Sequence, residues 1–361
     1  MGSGHDAVAS ELGRRLRAAG HRVDQADVLD LLPPGVGAGL RGFYQVAVRH
    51  LPALYGGLYA VFFRAGAGPR PGSTPLAALA QERLLAVVAR ERPDVVVSTF
   101  HLAAQLTGRL RALSRLAVPS AVVVTDFAVH RQWLHRGNDL HLFLTSRLAA
   151  QVAAGGLGRP VAASGPLVAG RFRAPAPGGE DWRRRLADRA GDRPAVLLSA
   201  GAWGAGSRLL ETARLLAAAG YLPVVLCGHN ERLRRSLAGR SSVLALGWVD
   251  DMPGLLAAGH ALVDNAAGQT ALEALAAGVP VVGYRPIPGH GAEGVRCMAA
   301  LGLTSYAADS WGLLRALDDL TWPTPQATAA RSARVAELFS HDALPPLEDL
   351  LVRPRQAASP A

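Results

Sequence analysis

Two groups of residues in this chain have types and spacing that could do chemistry. In the first, DNAAGQTALE, the apolar run Ala261 to Val263 ends at Asp264 and leads through small residues to Gly268, Gln269 and Thr270, with Glu273 beyond. A strand that ends in small residues and enters a helix gathers backbone amides, a hydroxyl and the positive end of a helix dipole, which suits a diphosphate. Glu273, one turn into that helix, could accept hydrogen bonds from both hydroxyls of a ribose. Each feature alone also fits an ordinary capped βα unit. The loop Ile287-Pro288-Gly289-His290-Gly291 downstream favours a binding site.

The second group is Thr125-Asp126-Phe127 with His130 and Trp133, just past the run Ala121-Val-Val-Val. The carboxyl ends of strands in α/β domains are where ligands sit. Asp126 could orient a hydroxyl or a histidine, and His130 could accept a proton. The alternative is a capping aspartate with a surface histidine. The chain also opens on Met1-Gly2-Ser3-Gly4-His5, which has the form of the first loop of a Rossmann-type βα unit. Such a loop needs a strand ahead of it, and only Met1 precedes; the expectation is that the true start lies upstream. Position 7 is Ala, so the G-x-G-x-x-G of a dinucleotide-dependent oxidoreductase is incomplete.

The elements that must position these groups alternate between short β-rich runs and Ala/Leu/Arg-rich helical stretches, which predicts the α/β class. A first series comprises a helix over about 7–19 closed by Gly20, then strands at 21–27, 94–99, 121–125 and near 140–145. A Pro- and Gly-rich linker follows at 165–179. A second series has strands at 195–199, 222–227, 242–246, 261–264 and 280–284, with helices from about Arg208, over 252–258 and over 270–277. Asp250 or Asp251 caps the helix at 252, and Gly278 closes the one at 270–277. A last helix at 327–339 precedes a Pro-rich end. Two doubly wound halves facing each other make a cleft.

Bulk properties narrow the class. The chain has 361 residues, 50% of them hydrophobic, and a mean hydropathy of +0.17, which excludes a disordered chain. The net charge of +10 comes from arginine alone, since no lysine occurs. The basic character, a pI near 10.7, favours anionic partners. Cys227 and Cys297 lack metal-ligand spacing and read as free thiols in a reducing cytoplasm. Neither a signal peptide nor an apolar run of about 20 residues is visible. The stretch 41–64, RGFYQVAVRHLPALYGGLYAVFFR, concentrates Phe43, Tyr44, Tyr55, Tyr59, Phe62 and Phe63 among Arg41, Arg49, His50 and Arg64. Pro52 and the Gly56-Gly57 pair break it into short helices, which either pack a core or contact anionic lipid headgroups.

The stretch Trp248 to Glu293 resembles the nucleotide-sugar site of the GT-B glycosyltransferases. It is most similar to the monogalactosyldiacylglycerol synthases and processive diacylglycerol glucosyltransferases, relatives of the peptidoglycan N-acetylglucosaminyltransferase. The likeness extends over Gly2-Ser3-Gly4-His5, Pro93-Asp94, Ser98-Thr99-Phe100, Thr125-Asp126-Phe127 with His130, Trp133 and Asp139, Gly165-Pro166, Gly201-Ala-Trp-Gly, Gly228, Thr270, Glu273-Ala274, Gly278-Val-Pro and Pro288-Gly289. It implies an N-terminal acceptor domain over 1–170 and a C-terminal nucleotide-sugar domain over 171–325. A helix and tail over 326–361 would pack back on the first domain. It also implies that uracil rests near Trp248 and Val249, and that the phosphates meet Gly201, Gly268, Gln269 and Thr270. Glu273 would hold the ribose, and Pro288, Gly289 and His290 would face the sugar. His5 becomes the first choice of base, with Asp126 as orienter or alternative base and His130 as a further catalytic candidate or headgroup contact.

The implied activity is transfer of a hexose from a UDP-sugar to a lipid such as diacylglycerol, inverting and without a metal or other cofactor. Helix-terminal amides and arginines would then stabilise the departing diphosphate. The protein would work at the inner face of the cell membrane, contacting anionic lipid through 41–64. Two departures from the family are Ala267-Gly268 where it often has two glycines, and His290-Gly291 in the sugar-facing loop. They leave the sugar unnamed. Rival readings are a glycosyltransferase on a soluble natural product, a nucleotide-sugar epimerase of the same fold and, more remotely, a basic nucleic-acid-binding protein. The arginines are scattered on helices and no nucleic-acid motif occurs, so no nucleic-acid partner is expected.

Overall fold

The computed structural model describes residues 3–63, 72–199, 201–204, 206 and 208–352, except the side chains at 49, 50 and 52. Gly2, Arg64, the tail beyond Val352, and the side chains of Arg49 and His50 therefore lie outside the described residues. The first half runs α1 (Ser3–Ala18), α2 (Val36–His50), α3 (Pro52–Phe62), α4 (Thr74–Ala78), α5 (Gln81–Glu91), β1 (Val96–Ser98), α6 (His101–Ala112), β2 (Ser120–Val123), β3 (Leu140–Phe143), α7 (Ser146–Ala154) and β4 (Val161–Ala163). The second begins α8 (Gly179–Ala190), β5 (Ala195–Ser199), α9 (Leu209–Ala218), β6 (Leu222–Leu226), α10 (Glu231–Ala238), β7 (Leu244–Leu246) and α11 (Met252–Ala258). It continues β8 (Ala261–Asp264), α12 (Gln269–Ala276), β9 (Val281–Tyr284), α13 (His290–Ala300), β10 (Ser305–Ala307), α14 (Ser310–Thr321), α15 (Pro325–Leu338) and α16 (Leu344–Val352).

The second sheet is parallel, with strand order β10-β9-β8-β5-β6-β7. This is the doubly wound order whose direction reverses between its first and fourth strands, here β5 and β8. Its central strands are buried on both faces, so they read as continuous apolar runs. Leu197, Leu222 and Val224 pack with Trp182, Leu255 and Leu256 on one face. Val196, Leu198 and Val225 pack with Leu216, Leu313 and Leu317 on the other. The first sheet, β1-β2-β3-β4, is also parallel. Ala121, Val123, Leu140 and Leu142 are covered by Val8 and Leu12 of α1 and by Leu347 and Leu350 of α16. The chain end thus completes the core of the first half.

Two expectations are corrected. Residues 21–27 form no strand: β1 pairs only with β2 among the described strands, and the segment is tied to α1 by side-chain hydrogen bonds instead of a ladder. Arg17 donates to the carbonyl of Val23 at 2.8 Å and Gln25 to that of Ala9 at 2.8 Å. The opening loop is also not a loop, because Ser3, Gly4 and His5 form the first turn of α1. Asp6 in that turn complements the helix dipole.

The choice between Asp250 and Asp251 resolves to Asp251. Its Oδ1 accepts from the Gly254 amide at 3.0 Å and its Oδ2 from Trp182 Nε1 at 3.2 Å, joining α11 to α8. Asp251→Ala is expected to cost about 1–2 kcal/mol, read as a lower denaturation midpoint at unchanged slope. Asp251→Asn should fall between it and the parent. Equal midpoints for all three would remove the cap from the account.

Candidate active site

The reversal between β5 and β8 dictates where a ligand of the second domain sits, namely between the loops that leave those two strands. After β8, buried Asp264 accepts from the amides of Ala266 and Ala267 at 2.9 and 2.6 Å. Burial holds its carboxyl above the usual range against the pull of these bonds. The bonds curl the loop back and hold Ala267 at φ 52, a left-handed conformation costing a non-glycine residue about 1 kcal/mol. Gly268 then caps α12 in an extended conformation, leaving the amides of the first turn facing outward.

After β5 comes the turn Gly201–Gly204, backed by Gly228 at φ 56, where a Cβ would lie 2.3 Å from the Ala202 carbonyl oxygen. Gly228→Ala is expected to displace this turn and lower stability by about 2 kcal/mol or more. A thermal melt matching the parent would contradict that packing.

The first half supplies the facing wall. His5 Nδ1 lies 3.1 Å from the Thr99 carbonyl oxygen and 3.1 Å from Thr125 Oγ1. A carbonyl only accepts, so Nδ1 carries the ring proton and Nε2 the free lone pair. Burial lowers the His5 pKa, with Asp126 pulling the other way; the ring is neutral at neutral pH. Asp126, at the carboxyl end of β2, accepts from Trp133 Nε1 through Oδ2 at 2.9 Å.

A cavity of about 200 Å³ joins the walls, lined by Ser3, His5 and Asp126 on one side and Gly201, Gln269, Thr270 and His290 on the other. The walls meet where Gln269 Nε2 donates to the Leu167 carbonyl at 3.2 Å. Three helices begin at this cavity, α1 at Ser3, α12 at Gln269 and α13 at His290. The positive end of a helix dipole favours an anion there. No arginine lines the cavity among the described residues.

Of the site residues read from sequence, His5, Asp126, Gly201, Gly268, Gln269, Thr270 and His290 meet at this cavity, and His130, Trp248, Val249, Glu273, Pro288 and Gly289 do not line it. His130 is 5% exposed, with Nε2 3.8 Å from Asp126 Oδ2. Burial takes its pKa down to about 4. Its ring packs against Phe63, His101 and Trp133, because fully buried Trp133 and Phe127 draw the whole loop inward. A headgroup contact through His130 is therefore corrected, and it stands behind Asp126. Trp248 is half exposed, with its ring stacked on His229 at 4.4 Å and 7°. Trp203, Tyr44 and Thr125 also line the cavity; the sequence reading named each within its motif but gave none of them a role of its own. Trp203 sits in the turn already identified, and that position was the available signal.

The segment 41–64 divides by face. Phe43, Val46, Leu51, Leu54 and Val61 are each about half exposed, while Tyr59 is buried and Tyr55 half-buried toward the second domain. Arg41 is held in ion pairs with Asp27 and Asp30 at 2.7 and 2.8 Å. Among the described residues no helix is long and apolar enough to cross a membrane.

Residues 5–166 match the family described as monogalactosyldiacylglycerol (MGDG) synthase. Over these residues, less than half of its length, the chain is similar to the monogalactosyldiacylglycerol synthases. A processive diacylglycerol beta-glucosyltransferase of Bacillus pumilus is 27% identical over 222 residues, 60% of this chain and 57% of that protein. The chain thus spans little more than half the length of the curated relatives it matches. Among solved structures, the glycotransferase of kitacinnamycin superposes with a TM-score of 0.63 at 18% identity, covering 96% of both chains. MurG of Acinetobacter baumannii gives 0.54 at 14%, covering 94% of this chain and 93% of its own. HepE of Anabaena, solved with UDP, gives 0.50 at 16%, covering 74% and 78%. The fold is GT-B, two Rossmann-like domains.

Proposed function

We propose that the protein transfers a hexose from a UDP-sugar to a lipid acceptor such as diacylglycerol, with inversion and without a metal. The observation that carries this reading is the placement of His5, fixed with a free Nε2, across one cavity from the start of α12. In the proposed step the acceptor oxygen attacks the anomeric carbon while His5 Nε2 takes the hydroxyl proton. The bond from that carbon to the β-phosphate oxygen breaks, and UDP leaves with its new charge toward the amides of Gln269 and Thr270. Nucleophile and leaving group lie on opposite walls, which is the arrangement for a single inverting displacement. Asp126, with one oxygen held by Trp133, orients the acceptor hydroxyl.

Support for the donor comes from HepE, solved with UDP, and for the acceptor from relatives named as diacylglycerol glucosyltransferases. The half-exposed apolar row from Phe43 to Val61 suits peripheral contact with the inner face of the cell membrane. With Arg41 already paired, that contact rests on apolar area more than on charge.

The deciding experiment offers UDP-glucose, UDP-galactose and UDP-N-acetylglucosamine with diacylglycerol in anionic vesicles or with soluble hydroxylated acceptors. Glycolipid formation that requires vesicles is the expected result. Transfer to soluble acceptors alone would move the protein to natural-product glycosylation, and UDP-sugar interconversion without acceptor would make it an epimerase.

A further inference from the structure

Helix α3 belongs to the first domain, yet its inner face is built against the sugar-side loop of the second. Tyr55 and Tyr59 stand one turn apart, so their side chains share a face. The Tyr55 hydroxyl lies 2.7 Å from His290 Nδ1, and the Tyr59 hydroxyl donates to Glu293 Oε2 at 2.9 Å. The backbones approach closely as well. A Cβ on Gly289 would lie 2.7 Å from the Tyr59 ring, and one on Gly56 would lie 3.0 Å from Pro288. Gly289 also sits at φ 83, so both its conformation and its neighbour require glycine.

Resting on the UDP-hexose reading above, we infer that Tyr55 and Tyr59 are positioning residues for the donor sugar: α3 clamps the Pro288–His290 loop and sets His290 to present an N–H to the cavity. The Tyr55 hydroxyl stays protonated, since burial pushes its pKa up. Among the described residues the hydroxyl's hydrogen-bond partner is His290 Nδ1. Donation from Tyr55 to Nδ1 satisfies both groups and places the single proton of the neutral imidazole on Nε2. His290 is held neutral by burial and lines the cavity. His5 and His290 thus stand in opposite tautomers, one an acceptor for the attacking hydroxyl and the other a donor to a sugar hydroxyl. The second domain alone cannot fix that donor, because the hydroxyl that sets the tautomer arrives on α3. The same helix carries half-exposed Leu54 and Val61 on its outside, so seating of α3 links the apolar surface to the sugar pocket.

The test is calorimetry of UDP, UDP-glucose and UDP-galactose on the full chain as wild type, Tyr55→Phe, His290→Ala and the double variant. Tyr55→Phe removes one hydroxyl and should leave UDP affinity within about twofold while weakening the preferred UDP-hexose about threefold to tenfold. The double variant should be no weaker than His290→Ala, because the two residues act through one hydrogen bond. Additive losses would overturn the clamp, as would equal losses for UDP and UDP-hexose, which mark a general structural effect. A wild type that binds UDP but shows no change in UDP-hexose affinity on Tyr55→Phe overturns the clamp alone. A wild type that binds none of the three overturns the proposed function with it.

Discussion

His5→Ala is expected to lower turnover by about 10²- to 10⁴-fold while leaving UDP affinity within about twofold. The separation follows from the proposed function, in which His5 meets the acceptor on one wall of the cavity and the diphosphate sits at the start of α12 on the other. The pH dependence gives a second readout. The base works as neutral imidazole, so activity falls as pH drops through the folded pKa, which burial places below the ordinary 6.5. The wild type should keep more than half of its activity at pH 6.5 and lose the rest at lower pH. Asp126 is the foremost charge raising that pKa, so Asp126→Asn should move the residual acid limb to still lower pH. Thr125→Val, which removes one contact to Nδ1 but spares the Thr99 carbonyl, should lose far less turnover than His5→Ala. Near-normal turnover in His5→Ala, or an unchanged acid limb, would transfer the role of base to another group.

The unit β8–α12 was legible in sequence almost residue by residue. An apolar run of strand length, a small-residue loop and an amphipathic helix closed by Gly278 leave few alternatives, and its flanks pack locally on β5 and β9. The segment 21–27 failed for the opposite reason. Its composition suits a strand, but a strand exists only with a ladder partner, and composition does not say whether one is present. Helix α16 was hidden by Pro345 and Pro346, which read as a chain end. They fall in the first turn of the helix, where a missing amide costs nothing.

At the cavity, the residues at the start of α12 were readable because local chain geometry brings them together there. The histidines were not equally readable. His5, His130 and His290 look alike in sequence; one acquires a carbonyl partner, one is buried behind Asp126 and one receives a tyrosine hydroxyl from the other domain. Those differences arise from packing between distant elements. The same holds for Tyr55 and Tyr59, which the aromatic content of 41–64 offered either to a core or to a membrane, and which the fold assigns to the cleft.

Glu273 should respond to pH in two opposed ways. It sits half-buried in α12, and burial raises its carboxyl from 4.5 to about 7, opposed by Arg171. The folded state therefore binds more protons than the unfolded state between these values. Stability contributed by this group is present at pH 4.5 and is lost as pH rises through 7. The full interval corresponds to about 3 kcal/mol, and partial exposure reduces this to about 1–2 kcal/mol. Glu273→Gln should therefore melt higher than the wild type at pH 8 and nearly alongside it at pH 4.5. Under the proposed function the ribose hydroxyls donate to the ionised carboxylate, so binding favours the form that folding disfavours. UDP affinity of the wild type should rise from pH 6 to pH 8, with a proton released on binding at pH 6.5, detectable as a dependence of calorimetric heat on buffer ionisation. Glu273→Gln should abolish that release and bind UDP about tenfold to a hundredfold more weakly. A melting gain without any change in UDP affinity would leave Glu273 as a half-buried acid whose raised pKa serves something other than the ribose.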